Sequence, residues 1–287
     1  MYAITGITGQ VGGALAETLL ADGAAVRAIA RDPKKATRWA ERGCTLARAD
    51  MTDAEALTRA FDGAEGVFLL IPPIFDPSPD LAQVRAVIAA VRAALIAAMP
   101  GRVVALSTVG AQAPQPNLLG QLGLVERHLG ELDLPIAFLR AAWFMENAAW
   151  DVEPARHGTI QSFLQPLGRA IPMVATSDVG ATAARLLRED WHGRRVVNLQ
   201  GPALISPNNL AATFASLLGH PVEAQAVPRS QWEAIFRSQG MTNPLPRMKM
   251  LDGFNEGWIA FEGCGHAERA TGTTTLEAVL QRLLTLN

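Results

Sequence analysis

The amino-acid sequence predicts an α/β protein: a Rossmann-type, doubly wound parallel sheet with a smaller C-terminal substrate lobe. Three observations lead to this prediction. Short, continuous apolar runs alternate with amphipathic stretches, as expected of parallel strands that are buried on both faces and joined by helices. A glycine-rich turn follows the first apolar run and opens the first helix. After Trp150 glycine and proline become frequent and the helical stretches shorten, which indicates a separate lobe.

Seven apolar runs are predicted to be strands: Tyr2–Thr5, Ala25–Ala30, Cys44–Arg48, Gly66–Ile71, Arg102–Ser107, Ile136–Arg140 and Val196–Leu199. Apolar residues at helical spacing predict helices, of which the clearest are Asp80–Met99, a stretch that ends near Arg188 with Asp178 as its N-cap, Ser206–Leu218 and Thr274–Leu286. We divide the chain into a Rossmann domain, residues 1–150, and a mainly C-terminal substrate lobe, residues 151–287. About 178–200 are expected to return to the main sheet.

Composition and charge argue against several classes of partner. The 287 residues are 49% hydrophobic and 18% charged, and the net charge is -2 without a basic block, so we expect no contact with nucleic acid. Arg92 interrupts the longest apolar stretch, Ala86–Met99, which is too short to cross a bilayer. Two cysteines and no visible signal peptide favour a cytoplasmic protein. Cys264 and His266 are too few ligands for a structural zinc site, and no metal is expected.

The glycine-rich turn after the first strand is the predicted pyrophosphate site of a dinucleotide. Its glycines have separate tasks: one allows a tight turn, one lets the backbone approach the pyrophosphate, and one lets the helix pack on the strand. Amide groups and the helix dipole at the start of the helix attract the anion. The residues predicted to bind here are Gly6, Thr8, Gly9, Gln10, Val11 and Gly12.

The end of the second strand favours NADP(H) over NAD(H). NAD enzymes usually place an acidic residue there for the ribose 2′-hydroxyl, whereas this chain has Arg31, with Lys34 or Lys35 close by. Asp32 is better explained as a helix cap before Pro33. Arg31 could instead be a solvated surface charge.

Other strand ends should border the cofactor, because ligands of open parallel sheets lie beyond the carboxyl ends of the strands. Asp50 and Met51 end the third strand, where they could contact adenine, although Asp50 could equally be an N-cap. Ile71 and Pro72 end the fourth strand. Ser107 and Thr108 end the fifth strand, so all three ends contribute predicted cofactor contacts.

Several motifs occur in an order that resembles the NmrA-like branch of the atypical short-chain dehydrogenase/reductases. They are Thr5-Gly-x-Thr-Gly-x-x-Gly12, Arg31-Asp-Pro33, Asp50-Met-Thr-Asp53, Leu106-Ser-Thr-Val109, Leu139-Arg-x-x-x-Phe-Met-Glu-Asn147 and the segment Ile205–Ala211. That branch includes NAD(P)H-dependent quinone oxidoreductases and redox-sensing regulators without turnover. The resemblance implies that Arg31 meets the 2′-phosphate and that Ser107, Thr108, Phe144 and Asn147 lie near the nicotinamide.

The usual catalytic pair of short-chain dehydrogenases is missing. Their Tyr-x-x-x-Lys motif lies on the helix after the fifth strand, but the single tyrosine here is Tyr2, and no lysine occurs between residues 36 and 248. The lysine position falls near Leu122 or Gly123. On the same helix His128 is expected at the surface, and Glu126 is expected to cap or pair locally.

The preferred function is an NADPH-dependent reductase that transfers hydride to a quinone or a similar small-molecule electron acceptor. A reduced quinone is a stabilised phenolate that water can protonate, so no acid is needed. Trp143 and Phe144 could line a flat pocket with Asn147, or Trp143 and Phe144 could be ordinary core. The alternatives are a non-catalytic NADP(H) sensor that acts through a protein partner and, less favoured, an isoflavone-reductase-like enzyme. No catalytic residue is assigned.

Overall fold

The computed structural model describes residues 1–262 and 267–286. Its strands are β1 (Tyr2–Thr5), β2 (Val26–Ala30), β3 (Thr45–Arg48), β4 (Gly66–Leu69), β5 (Val103–Thr108), β6 (Ile136–Ala141), β7 (Trp143–Phe144), β8 (Thr159–Ser162), β9 (Ile171–Val174), β10 (Arg194–Gln200), β11 (Leu204–Ile205), β12 (Glu223–Ala226) and β13 (Glu268–Thr271). Its α-helices are α1 (Gln10–Ala21), α2 (Thr37–Glu41), α3 (Ala54–Phe61), α4 (Ala82–Ala98), α5 (Gly120–Leu129), α6 (Val152–Arg156), α7 (Thr176–Arg188), α8 (Pro207–Leu218), α9 (Trp232–Ser238), α10 (Leu245–Glu256) and α11 (Leu276–Leu286). Short 3-10 segments cover Pro33–Ala36, Met145–Asp151 and Arg229–Gln231. None of the helices in these described ranges has the length and hydropathy of a membrane span.

The main sheet confirms the predicted Rossmann-type architecture. Its eight strands lie in the order β13-β10-β6-β5-β4-β1-β2-β3, and every neighbouring pair is parallel. The direction of the strand order changes between β1 and β4, where such sheets open a crevice at their carboxyl ends. β10 lies beside β6, and β13 extends the same edge. The division of the chain at residue 150 stays a prediction.

Both faces of the sheet are buried, which explains the continuous apolar runs. On one face Ala3, Val67 and Val103 pack under α3, α4 and α5. On the other face Ile4 and Phe68 pack under α1 and α7. Successive residues of a strand point to opposite faces, so each strand contributes to both cores.

Two glycines allow α1 to approach its neighbours at backbone distance. A Cβ at Gly180 of α7 would lie 2.6 Å from the backbone nitrogen of Leu15 in α1. A Cβ at Gly12 would lie 2.4 Å from the carbonyl oxygen of Gly6, on the other side of α1. α1 is therefore held between the glycine-rich turn and α7 without room for a further methyl group at either contact.

The C-terminal lobe has its own apolar core and two small sheets. The core includes Phe214, Trp232, Phe236 and Phe254, all of them buried. The strands β11, β9 and β7 form one small sheet, and β12 and β8 form the other. Helices α8 to α11 all contribute residues to this core.

Hydrogen bonds from side chains fix several helix ends, and one predicted cap is wrong. Ser206 forms a capping box with Asn209 at the start of α8. Asp178 does not cap α7, because the helix already begins at Thr176. Its carboxylate instead accepts hydrogen bonds from the backbone and hydroxyl of Thr274, at 2.9 and 2.8 Å, and so ties α7 to the chain before α11.

We expect Gly180→Ala to destabilise the fold by about 1–3 kcal/mol, because the new methyl group would force α1 and α7 apart. Gly120→Ala is the matched control, since a Cβ at this helical glycine would meet no atom within 4 Å. Urea denaturation should show a lower midpoint for the Gly180 variant, with an unchanged or slightly higher midpoint for the control. Equal midpoints for the two variants would contradict the role of the close contact.

Candidate active site

The glycine-rich turn has the geometry that the sequence predicts for a pyrophosphate cradle. Gly6 adopts a φ of 66°, a left-handed conformation that allows the tight turn after β1. Gly9 is exposed, and a Cβ there would make only an ordinary contact, 3.4 Å from the oxygen of Gly6. Gly12 is the close-packing position described above. The open space is therefore at Gly9, the position at which a pyrophosphate has to approach the backbone of the turn.

The start of α1 offers backbone donors without a competing side chain. Gly9 is its N-cap and provides no side-chain hydrogen bond, and the first turn contains no acidic residue. By contrast, Asp53 caps α3. The amide groups of Gln10, Val11 and Gly12 face the end where a helix dipole is positive, so this terminus fits an anionic group.

Cations surround the end of β2, as the NADP(H) prediction requires. Arg31, Lys34 and Lys35 are exposed. Asp32 accepts a hydrogen bond from the backbone of Lys34 at 3.1 Å, which confirms its predicted capping role. The carboxylate of Asp32 is therefore bound to the backbone of its own turn, whereas the three cationic side chains are accessible to solvent.

The structure adds Arg38 to this group of cations. Its guanidinium stacks over the ring of Trp39, 4.7 Å from the centroid. A Cβ at Gly13, in the first turns of α1, would lie 3.3 Å from its Nη2 atom. Trp39 is fully buried and holds this guanidinium beside α1. The adjacent residues Arg38 and Trp39 are the only sign in the sequence that this arginine is held in place.

Asp50 is not the cap of α3, because Asp53 takes that role. The Asp50 carboxylate accepts hydrogen bonds from the hydroxyl and backbone of Thr52, at 2.7 and 3.0 Å. These bonds, and the charge of nearby Arg31, hold the pKa of Asp50 below its usual value. Asp50 therefore lies close to Arg31 as an ionised group, and Met51 beside it is partly buried.

The loop between β4 and α4, which contains Ile71 and Pro72, is fastened on two sides. The buried Gln121 of α5 accepts a hydrogen bond from the backbone nitrogen of Ile74 and donates one to its oxygen, at 3.1 and 2.9 Å. Asp76 accepts from the hydroxyl and backbone of Thr242 and from the backbone of Asn243, at 2.6–2.9 Å. These three bonds lower the pKa of Asp76.

A buried ion pair lies under the ends of β5 and β6. Arg140 is buried and forms a two-point contact with Glu126 of α5, at 2.9 and 2.6 Å, and Glu262 approaches it at 3.1 Å. Burial opposes the charge of Arg140, but the two carboxylates outweigh that effect and raise its pKa. The expectation that Glu126 pairs locally is therefore wrong, since its partner Arg140 lies on β6, 14 residues further along the chain.

Ser107 belongs to the same cluster. Its hydroxyl donates to Glu126 at 2.5 Å, and it stands next to Arg140 in the strand register. Asn198 of β10 lies beside Arg140 of β6 in the strand register and is 3% exposed. Its side-chain amide has no hydrogen-bond partner within residues 1–262 and 267–286. The end of β5 is thus fixed in place by Ser107, while Thr108, the next residue, is more accessible.

The helix α5 has no room for the missing catalytic lysine. A Cβ at Gly123 would lie 2.2 Å from the carbonyl oxygen of Ala111, so only glycine fits at this position. Leu122 is buried in the core under the sheet. Tyr2 starts β1 and therefore lies at the amino end of the sheet, opposite the strand ends that border the site.

The predicted pocket residues follow β6 without a break. Trp143 and Phe144 form β7 and are both partly buried, whereas Asn147 is exposed. The ring of Trp143 packs edge-on against Phe254 of α10, with 5.2 Å between centroids. Trp143 is therefore at once part of the lobe core and half accessible beside the strand ends.

The 3-10 segment after β7 carries two carboxyl groups of different character. Glu146 accepts hydrogen bonds from the backbone and hydroxyl of Thr176, at 3.0 and 2.8 Å, and so closes the start of α7. Burial raises the pKa of Asp151, at the end of the segment, to about 7. Asp151 therefore holds a proton part of the time near neutral pH.

Within the described ranges no group of three or more His, Cys, Asp or Glu side chains is arranged to hold a metal ion. Cys264 and His266, the two candidate ligands from the sequence, lie outside the described residues.

Comparison with known proteins places the chain among reductases. The sequence profile of the NmrA-like family matches residues 2–257. Quinone oxidoreductase 2 of Escherichia coli is 29% identical, with 100% of each chain covered. NAD(P)H azoreductase of Xenophilus azovorans is 26% identical over 85% of this chain and 83% of the relative. The crystal structure of the NADPH-dependent quinone oxidoreductase of Escherichia coli with NADPH has a TM-score of 0.79 at 28% identity, with 99% of each chain covered.

We expect Gly9→Val to abolish dinucleotide binding while leaving the fold intact. The extended backbone of Gly9, with φ -92° and ψ 178°, accepts a branched residue, and the new side chain would fill the open space above the turn. Circular dichroism and NADPH titration by fluorescence would separate the two effects. Gly12→Ala is the comparison, because its methyl group would clash inside the fold and should lower the melting temperature as well. Normal NADPH binding by the Gly9 variant would show that the cradle lies elsewhere.

Proposed function

The chain belongs to the NmrA-like family, and on that premise we propose that it is an NADPH-dependent reductase that transfers hydride to a quinone or a similar electron acceptor. The full-length similarity to a quinone oxidoreductase and to its NADPH complex supports this activity. The similarity to an azoreductase over most of the chain supports the same cofactor chemistry with a conjugated acceptor.

The observation that carries the choice of acceptor is the contact between Gly123 and Ala111. It closes one of the two helix positions, Leu122 and Gly123, near which the lysine of a Tyr-x-x-x-Lys pair is expected, while the glycine-rich turn still fits a dinucleotide. A ketone would become a strongly basic alkoxide and would need a positioned acid. A quinone becomes a stabilised phenolate, which water can protonate, so the site can do without that pair.

The residues that would hold NADPH are those around the switch in strand order. The turn from Gly6 to Gly12, including Thr8, Gln10 and Val11, would bind the pyrophosphate. Arg31, Lys35 and Arg38 would bind the 2′-phosphate, which their charges favour over a free hydroxyl. The remaining contacts would come from Asp50, Met51, Ile71, Pro72, Ser107 and Thr108. When bound, NADPH would supply a hydride, which together with one proton converts a quinone to a hydroquinone.

The acceptor would lie between the strand ends and the lobe. Trp143 and Phe144 present apolar surface there, and Asn147 adds an exposed amide. Flat conjugated rings pack well on aromatic side chains, so these three residues are our candidates for the acceptor pocket. We place the reaction in the cytoplasm, where a free, buried thiol such as that of Cys44 is stable.

The 2′-phosphate contact gives a prediction about cofactor choice. We expect the wild type to bind NADPH more tightly than NADH, and Arg31→Ala to lose roughly ten- to a hundredfold in NADPH affinity, the range for a charge-assisted hydrogen bond. Affinity for NADH should change little. Arg59→Ala is the control, because Arg59 is also an exposed arginine but lies on α3. Equal wild-type affinities for the two cofactors would refute the assignment, as would an undiminished preference in the Arg31 variant.

The proposed activity is tested by NADPH oxidation with a panel of ortho- and para-quinones. We expect turnover well above the uncatalysed rate and a kinetic isotope effect when the transferred hydrogen at C4 of NADPH is deuterium. Phe144→Ala and Asn147→Ala should reduce the rate, because they empty the proposed pocket. Tyr2→Phe should leave it unchanged, since Tyr2 lies at the other end of the sheet.

A negative result would favour the alternative of a cofactor sensor. In that case NADPH would bind tightly in the same preparation, no quinone would be reduced, and NADP⁺ and NADPH would give different proteolysis patterns or oligomeric states. Signalling requires that the two cofactor forms bind two conformations with different affinities.

A further inference from the structure

Arg247 is a partly buried cation, and no carboxylate among the described residues neutralises it. Its guanidinium stacks over the ring of Phe236, 4.3 Å from the centroid. The polar contacts of its Nη1 atom are with neutral groups, Oε1 of Gln239 at 3.5 Å and Sδ of Met241 at 3.8 Å. Within residues 1–262 and 267–286 it forms no salt bridge. Burial without a counter-ion lowers the pKa of this guanidinium.

Two other arginines that are withdrawn from solvent are charge-compensated. Arg140 and Arg195 each contact two glutamates. Arg229 is exposed, but it also stacks on an aromatic ring of the lobe, that of Trp232, at 4.8 Å. Asp252 holds Arg229 through two bonds, at 2.6 and 2.9 Å. Arg247 has the same stacked arrangement without the acid, although desolvating an unpaired charge is costly.

The surrounding contacts place Arg247 beside the carboxyl edge of the sheet. The residue before it, Pro246, accepts a hydrogen bond from the backbone of Leu118, in the connection that follows β5. Asn243, four residues earlier, is bound by Asp76 in the loop that follows β4. The first turn of α10 therefore rests on the two loops that border the proposed cofactor.

Arg247 also lies on the inner face of α10. Leu251 and Phe254 follow it at spacings of four and seven residues, which share one helical face, and both are buried. Phe254 contacts Trp143 of the proposed acceptor pocket. Two helical turns, roughly 10 Å, separate residue 247 from residue 254 along the axis, a distance that a bicyclic acceptor and an arginine side chain can cover together.

We propose that Arg247 binds an anionic substituent of the electron acceptor, a ring-bound carboxylate or sulfonate. The inference rests on the proposed reductase function and specifies its substrate class as acidic quinones. A planar guanidinium donates to an oxyanion through two parallel bonds. The stacking on Phe236 holds the guanidinium in place before the acceptor binds, so less side-chain conformational entropy is lost on binding.

The test compares 1,4-naphthoquinone-2-sulfonate with 1,4-naphthoquinone. In Arg247→Gln we expect KM for the sulfonate to rise about ten- to a hundredfold, the effect of losing a charge-assisted bond, while KM for the neutral quinone and both kcat values stay within about twofold. Arg247→Lys should restore part of the sulfonate affinity. Arg229→Gln, which removes the other stacked arginine of the lobe, should leave the ratio of the two KM values unchanged. A carboxylated naphthoquinone should behave as the sulfonate does.

A binding measurement makes the result independent of turnover. Anthraquinone-2-sulfonate, titrated against the NADP⁺ complex by tryptophan fluorescence, should bind more weakly to Arg247→Gln and more weakly to the wild type as salt rises. If the Gln variant does not fold, the salt dependence of the wild type and the Lys variant decides the question.

The outcomes separate the two proposals. A wild type that reduces no quinone refutes the reductase function, and binding of the sulfonate still tests Arg247. A wild type that reduces both quinones, with equal effects of Arg247→Gln on the two KM values or with no effect of salt on the sulfonate, refutes only the anion site.

Discussion

The close approach of backbone at Gly12 and Gly180 determines how α1 is packed on the main sheet. At both contacts a methyl group would lie well inside van der Waals distance, so α1 can sit between the glycine-rich turn and α7 only because these residues lack side chains. That position leaves the amides at the start of α1 beside the open backbone of Gly9 and directs them to the carboxyl edge of the sheet. The cofactor cradle and the docking of α7 therefore depend on the same helix.

The same kind of contact decides what chemistry the site supports. Gly123 lets α5 pack against the carbonyl oxygen of Ala111, and it is one of the two positions, with Leu122, near which a catalytic lysine is expected. On the next turn, Glu126 turns inward to Arg140 and Ser107 instead of offering an acid to a substrate. The helix after β5 is thus used for packing and for one buried ion pair, which agrees with the proposed acceptor, a quinone whose reduced form is stable without a protein acid.

The sequence predicted the main sheet well because its strands are buried on both faces. Each of the seven predicted strands agrees with the structure within two residues at either end. β13 was missed, since this edge strand reads Glu-Arg-Ala-Thr and pairs on one side only, so it needs no apolar run. The end of β2 and the glycine-rich turn were also predictable, because local backbone chemistry dictates them.

Side-chain partners that are distant in sequence could not be predicted in the same way. Asp178 suits the start of a helix by composition, but its partner Thr274 comes from a segment almost a hundred residues later. Glu126 has suitable local neighbours, yet burial favours the two-point contact with Arg140. Arg247 resembles any helical arginine in sequence, and only the structure shows that its guanidinium stacks on Phe236.

The fastening of the loop after β4 has a consequence for protein engineering. One carboxylate, that of Asp76, receives three hydrogen bonds from Thr242 and Asn243, which are more than 160 residues away in the chain. A chimera that exchanges the first half of this protein with that of a relative would split this set of bonds between two parents. The exchangeable unit is accordingly the loop together with the segment before α10, and recombination experiments should cut the chain so that both come from one parent.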